Sequence, residues 1–309
     1  MPYLGEFAAL GTALCWTFTS MFFTEAGRLI GSFKVNNIRL LFAVIIYVAI
    51  LTITTGHLWP SNLNGLQFSW LALSGLIGLV IGDGFGFKAL VMIGPRLTTL
   101  LWATAPIMVT IIAWVFLGEQ LRFIDIVGIV VTVAGVAWVV SERKYKNAER
   151  AGVMRDHPDS GTRTKGIIYG LIAALGQGTG LVLSKQAMLY AGGSLEAFPA
   201  AFIRMLTSMV MIWIISGMRG QLGPTVKAIR NGKAMALAAG GAIMGPFLGV
   251  WLSLVAVRMI NAGVAATLNS MTPVFVIPVV MFYYREKVSL RAFFGAVVAV
   301  SGVAVLLLT

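Results

Sequence analysis

Residues 74–88 read SGLIGLVIGDGFGFK, and 167 positions further on residues 241–255 read GAIMGPFLGVWLSLV. In the first stretch Ser74, Gly78, Gly82 and Gly86 recur every fourth residue. In the second, Gly241, Gly245, Gly249 and Ser253 do so in the same register. Residues four apart share one face of a helix, so each ladder lets a neighbouring backbone come close. One ladder says little, because glycine is common in membrane helices. Two in register indicate a duplication, and the same offset pairs Pro106 with Pro273, Glu119 with Glu286, Gly128 with Gly295, and Gly135 with Gly302.

Outward from these ladders the chain is apolar almost throughout. Of 309 residues, 58% are hydrophobic and 11% charged, with a mean hydropathy of +0.90. A soluble domain of this length needs more polar surface than that, so most of the outside must face lipid. A spanning helix takes roughly 20 apolar residues. That ruler predicts ten spans: 4–24, 36–55, 68–93, 97–117, 123–141, 166–190, 198–217, 234–257, 263–283 and 289–308. The runs are too long and too evenly apolar for a β-barrel. The expected fold is therefore an all-α membrane protein of ten transmembrane helices. The net charge of +12 forms no basic stripe on a soluble segment, so no nucleic acid is expected as a partner. Cys15 is the sole cysteine, which rules out an intrachain disulfide. The start of the chain has no Lys/Arg flank of a signal peptide and reads as mature sequence.

The polar, basic stretch 142–165 divides the chain nearly in half. Five spans on each side is an odd number, so the second copy enters the membrane from the opposite face. Secondary transporters are often built on such inverted repeats, with the substrate held near the midplane between the copies. No G-x-x-x-x-G-K-[ST] sequence occurs, so nothing points to ATP hydrolysis.

The motifs Ala105-Pro106, Gly118-Glu119-Gln120-Leu121, Gly128 and Ala134-Gly135-Val136 have partners in Thr272-Pro273, Arg285-Glu286-Lys287-Val288, Gly295 and Ser301-Gly302-Val303. With these motifs the chain resembles the drug/metabolite transporter superfamily in its ten-helix form with two EamA-like domains. The resemblance implies a first five-helix repeat over 1–141, a linker over 142–165 and a second repeat over 166–309. It implies transport of a small metabolite, without naming one.

Several residues are candidates for the substrate site. Pro106 and Pro273 fall near the centres of spans four and nine, where proline frees the carbonyl four residues earlier and kinks the helix. Those carbonyls belong to Trp102 and Asn269, which are repeat equivalents and would be presented to a central cavity. Asp83 lies inside span three, where a carboxylate is costly and a role in function is the default expectation. It is the candidate group for ion coupling, as a proton acceptor or a seat for a substrate ammonium. Lys88, on the same span, is expected to pair with a carboxylate or to snorkel to the interface. Trp16 and Gln177 are equivalents at an offset of 161, and Trp251 adds an aromatic near the position equivalent to Asp83. Aromatic and amide groups at mid-depth suit a small organic solute. Arg39 and Arg204 open spans two and seven at similar positions. Arg39 is expected at the interface, and Arg204 deeper, where it could pair or bind an anion. Glu119 and Glu286 are expected to favour the positive N-terminal end of the helix that follows each.

Seventeen Lys and Arg residues fall in the odd-numbered connections and two in the even-numbered ones. By the positive-inside rule the odd connections are cytoplasmic and both termini lie outside; proteins of the resembled family usually have cytoplasmic termini. The expected function is secondary transport in a prokaryotic plasma membrane, as export of an amino-acid-like or other small polar solute. The alternatives are a lipid or lipid-linked solute flippase, and an intramembrane enzyme. No paired intramembrane carboxylates or His-rich span supports catalysis, so no catalytic residues, cofactor or metal are expected. The lipid bilayer and a small-molecule substrate are the expected partners.

Overall fold

The computed structural model describes residues 3–60, 63–142, 160–193, 195–275 and 290–308. Among them there are helices and turns but no strand. The first repeat runs α1 (Leu4–Ile30), α2 (Ser32–Thr55), α3 (Gly65–Gly75), a π-helical segment π1 (Leu76–Gly82), α4 (Asp83–Trp102), α5 (Ala105–Leu117) and α6 (Phe123–Glu142). The second runs α7 (Ser160–Gly193), α8 (Ala197–Met218), a short α9 (Leu222–Ala228), α10 (Gly232–Ala242), π2 (Ile243–Gly249), α11 (Val250–Met259), α12 (Ala262–Asn269) and α13 (Leu290–Leu308). The fold is an all-α membrane fold of two inverted five-helix repeats. Outward side chains such as Ile45, Ile53, Ile111, Trp114, Phe116 and Ile214 are exposed, as a lipid-facing surface requires.

The duplication reaches into local geometry. Asn64 caps α3 by accepting from the backbone N–H of Gln67, and Asn231, 167 residues on, caps α10 by accepting from that of Ala234. An Asn side chain satisfies one of the donors that every helix start leaves open. Both helices then widen into a seven-residue π segment at equivalent positions, closing with bonds from Asp83 N–H to the Gly78 carbonyl and from Val250 N–H to the Gly245 carbonyl. Such wide turns inside α-helices cluster at functional sites.

The two ladders do what their spacing predicts, each against the first helix of the other repeat. A Cβ on Gly82 would stand 3.3 Å from the Gln177 backbone nitrogen, and one on Gly249 would stand 3.3 Å from Trp16 Nε1. One turn away, Gly78 abuts Gly180 of α7 and Gly245 abuts Thr19 of α1. Ser74 Oγ meets the Gly180 carbonyl at 2.5 Å and Ser184 Oγ at 2.6 Å. The repeats are therefore interleaved. One bundle packs α1 and α2 on α10, π2 and α11; the other packs α7 and α8 on α3, π1 and α4. At the periphery α6 and α13 pair through Gly128, Gly135, Gly295 and Gly302, where a Cβ on Gly128 would approach Leu306 to 2.8 Å.

Two boundaries differ from the sequence reading. The connection expected at 94–96 is absent, because α4 continues as helix to Trp102. The chain breaks instead at Ala103-Thr104, and 167 residues on it breaks at Ser270-Met271. Pro106 and Pro273 are therefore not kinks within continuous helices. Each stands in the first turn after the break, where proline lacks an N–H that would have no partner anyway. Residues 276–283 of span nine, Glu286, and most of the linker 142–165 lie outside the described residues.

Candidate functional site

Asp83 opens α4 directly after π1, and its carboxylate is engaged from two sides. Arg39 Nη2 of α2 donates to Oδ2 in an ion pair, and Gln177 Nε2 of α7 donates to Oδ1. The Arg39 side chain is 4% exposed and that of Asp83 13%. Arg39 also donates from Nε to Asn36 Oδ1 at 2.7 Å and lies 5.7 Å from the centre of the Phe23 ring. The interfacial place expected for Arg39 is thus overturned, because Asp83 supplies the counter-charge that makes burial tolerable. Lys88 does not serve Asp83. It is exposed, with its ammonium 5.2 Å from the Phe85 ring centre and 5.7 Å from that of Tyr169.

Arg204 stands at the eighth position of α8, as Arg39 does of α2. It is 3% exposed, its Nε is buried without a hydrogen-bond partner, and no described residue forms an ion pair with it. Its Nη2 lies in a notch made by two glycines, 2.7 Å from where a Cβ on Gly78 would stand and 3.1 Å from one on Gly180. Asp83 and Tyr47 are within electrostatic range of it. Tyr47 is fully buried and donates its hydroxyl to the Phe247 carbonyl of π2 at 2.8 Å.

The remaining candidates fall into two half-sites. Around Asp83 and Gln177, Trp102 lies with its ring 2.8 Å from a Cβ on Gly86, and that Cβ would stand 3.5 Å from Ala173 Cβ. Its indole nitrogen is buried without a hydrogen-bond partner. In the other half-site Trp16 lies against Gly249. Trp251 stacks on Phe247 at 6.3 Å and meets Phe198 edge-on at 5.4 Å. Asn269 lies at the α12 break, with its Oδ1 buried and unpartnered. That break is tied to α1, where Thr272 Oγ1 donates to the Ala13 carbonyl at 3.2 Å and Thr17 Oγ1 donates to the Thr272 carbonyl at 3.3 Å. The Asn269 carbonyl accepts from Thr272 Oγ1 at 3.3 Å, so the break supplies its own donor. Two surface grooves, of about 620 and 360 Å³, are lined by other residues and do not reach this set.

Towards the face carrying the even-numbered connections, a second polar group ties the elements together. Lys185 Nζ of α7 is 2.6 Å from Glu119 Oε1 and donates to the Ile260 carbonyl at 2.6 Å, and Glu119 Oε2 accepts from Ala262 N–H at 2.8 Å. Glu119 thus does sit at a helix N-terminus, but at that of α12 rather than of α6, which follows it. The first turn of α6 is held by Asp125 instead, which accepts from Arg122 N–H at 3.0 Å. The sequence reading missed Lys185 and Tyr47 altogether.

Residues 3–141 and 164–308 each match the EamA-like transporter family. The chain is 20% identical over 302 residues to an "uncharacterized transporter" of Archaeoglobus fulgidus, covering 97% of this chain and 96% of that one. A solved crystal structure shares the fold at a TM-score of 0.73 and 15% identity, across 99% of this chain and 97% of its own. With two matching copies spanning nearly its whole length, the chain belongs to the EamA-like transporter family and is an integral, multi-pass membrane protein.

Proposed function

We propose that the protein is a secondary transporter that exports small polar, amino-acid-like metabolites across a prokaryotic plasma membrane by alternating access. The interleaving of the repeats carries this reading. Each bundle joins two helices of one repeat to a π-interrupted helix of the other, so rocking one against the other moves both half-sites at once. Polar side chains are expensive at this depth and mark solute pathways. Trp16, Asp83, Trp102, Gln177, Trp251 and Asn269 are the residues assigned to the solute, with the breaks before Pro106 and Pro273 as the places where α5 and α12 pivot. Asp83 joins the bundles through Arg39, so separation of the bundles would free its carboxylate for a proton or another cation. Reconstitution into proteoliposomes and a screen of small metabolites, with and without a pH gradient, tests the whole reading. Solute accumulation that depends on the gradient is expected; absence of uptake and of counterflow across the screen would dismiss it. The alternative of a lipid flippase is tested in the same vesicles, where scrambling of labelled lipid would favour it.

A further inference from the structure

Two arginines and one carboxylate occupy the centre of the bundle. Arg39 and Arg204 are equivalent by position, but their surroundings are not. In the second repeat's ladder the notch at Gly245 is filled by the Thr19 side chain, and Arg39 pairs instead with Asp83. In the first repeat's ladder the notch at Gly78 is faced by Gly180, and the Arg204 guanidinium fills it. The residue equivalent to Asp83 is Val250, which has no charge to offer. Arg204 is therefore buried and permanently charged, with its Nε left without a hydrogen-bond partner and no ion pair among the described residues. Asp83 lies in its field but is already engaged by Arg39 and Gln177. A desolvated guanidinium normally has its flat fork of donors matched by a carboxylate or a phosphate.

We infer that Arg204 is the anchor for an oxyanion, the carboxylate or phosphate group of the ligand that this protein carries. The inference rests on the transport reading and narrows its substrate class to solutes with an acidic group. A methyl group at Gly78 would stand 2.7 Å from Nη2, so that glycine leaves room for the guanidinium, while one at Gly180 would first meet the Ser74 carbonyl at 2.9 Å. The anion, once bound, supplies the missing counter-charge, and the loaded centre carries two positive and two negative groups. An empty centre keeps its net positive charge, which disfavours crossing of the barrier without cargo.

The test uses the full chain in detergent, with thermal unfolding followed in sodium acetate, in sodium phosphate and in sodium chloride at equal ionic strength. Acetate or phosphate is expected to raise the unfolding temperature above the chloride value. Arg204→Gln should abolish that rise, and Arg204→Lys should keep part of it. In chloride, Arg204→Gln should unfold no lower than the parent, because it removes a charge that nothing neutralises. A rise produced only by phosphatidylglycerol in mixed micelles, equally dependent on Arg204, would identify the oxyanion as a lipid headgroup. Unfolding insensitive to all these probes, a rise that survives Arg204→Gln, or a variant that is destabilised in chloride would overturn the inference. So would counterflow of a solute lacking any acidic group that is undiminished by Arg204→Gln, and that outcome would leave the transport reading standing.

Discussion

Asp83 forms its ion pair with Arg39 of α2, 44 residues earlier in the chain, and not with Lys88 on its own helix. The pair joins one bundle to the other and buries both charges. Removing one member of such a pair strands the other, at a cost of about 3–5 kcal/mol. Asp83→Asn is therefore expected to lower the detergent unfolding temperature sharply, and Arg39→Gln to do the same. The double variant should recover most of the loss, because it strands no charge. A double-mutant cycle from unfolding curves measures the coupling, and additive losses would dismiss the pair as a structural tie.

The ladders give a second expectation. At Gly82 a Cβ would already stand 3.3 Å from the Gln177 backbone nitrogen of α7, and at Gly249 3.3 Å from Trp16 Nε1 of α1. Gly82→Leu and Gly249→Leu should each cost about 1–3 kcal/mol or more, as overpacked sites do. Both should elute from size exclusion with an increased aggregate fraction. Parental stability in both variants would mean that the neighbouring helices are free to move apart.

Trp102 and Asn269 occupy equivalent places beside the two breaks, one with an unpartnered donor and the other with an unpartnered acceptor. A buried polar atom without a partner costs about 1–3 kcal/mol. Trp102→Phe and Asn269→Leu should therefore leave stability unchanged or raised. If the two atoms are held for the solute, transport in proteoliposomes should fall at the same time, with KM raised more than maximal rate changes. Loss of stability with unaltered KM would make them packing residues.

With Arg96 inside α4, the Lys and Arg residues still divide 16 to 2 between the odd and even connections, so the odd ones are expected in the cytoplasm. A C-terminal fusion to a reporter active only in the cytoplasm should be silent, and one active only outside should be bright. The reverse pattern would place Glu119 and Lys185 on the cytoplasmic side.

The class of fold was legible in the sequence because it rests on quantities that add along the chain. Apolar length sets the number of spans, and the four-residue spacing of Gly78, Gly82, Gly245 and Gly249 sets which helix faces allow close approach. The duplication showed in matched offsets, and an odd number of spans makes the copies inverted whatever their packing. The partner of each polar side chain was not legible. Asp83 and Lys88 are neighbours in sequence, but Arg39 reaches Asp83 only because α2 of one bundle is packed against α8 of the other. Arg39 and Arg204 look alike in register, and they differ because Thr19 fills one notch while Gly78 and Gly180 leave the other open. Pro106 and Pro273 marked the irregular backbone, but the choice between a kink and a break depended on the Thr side chains and neighbouring helices that satisfy the freed groups. Charge pairing is decided by through-space distance in a low-dielectric interior, and only the tertiary structure fixes that distance.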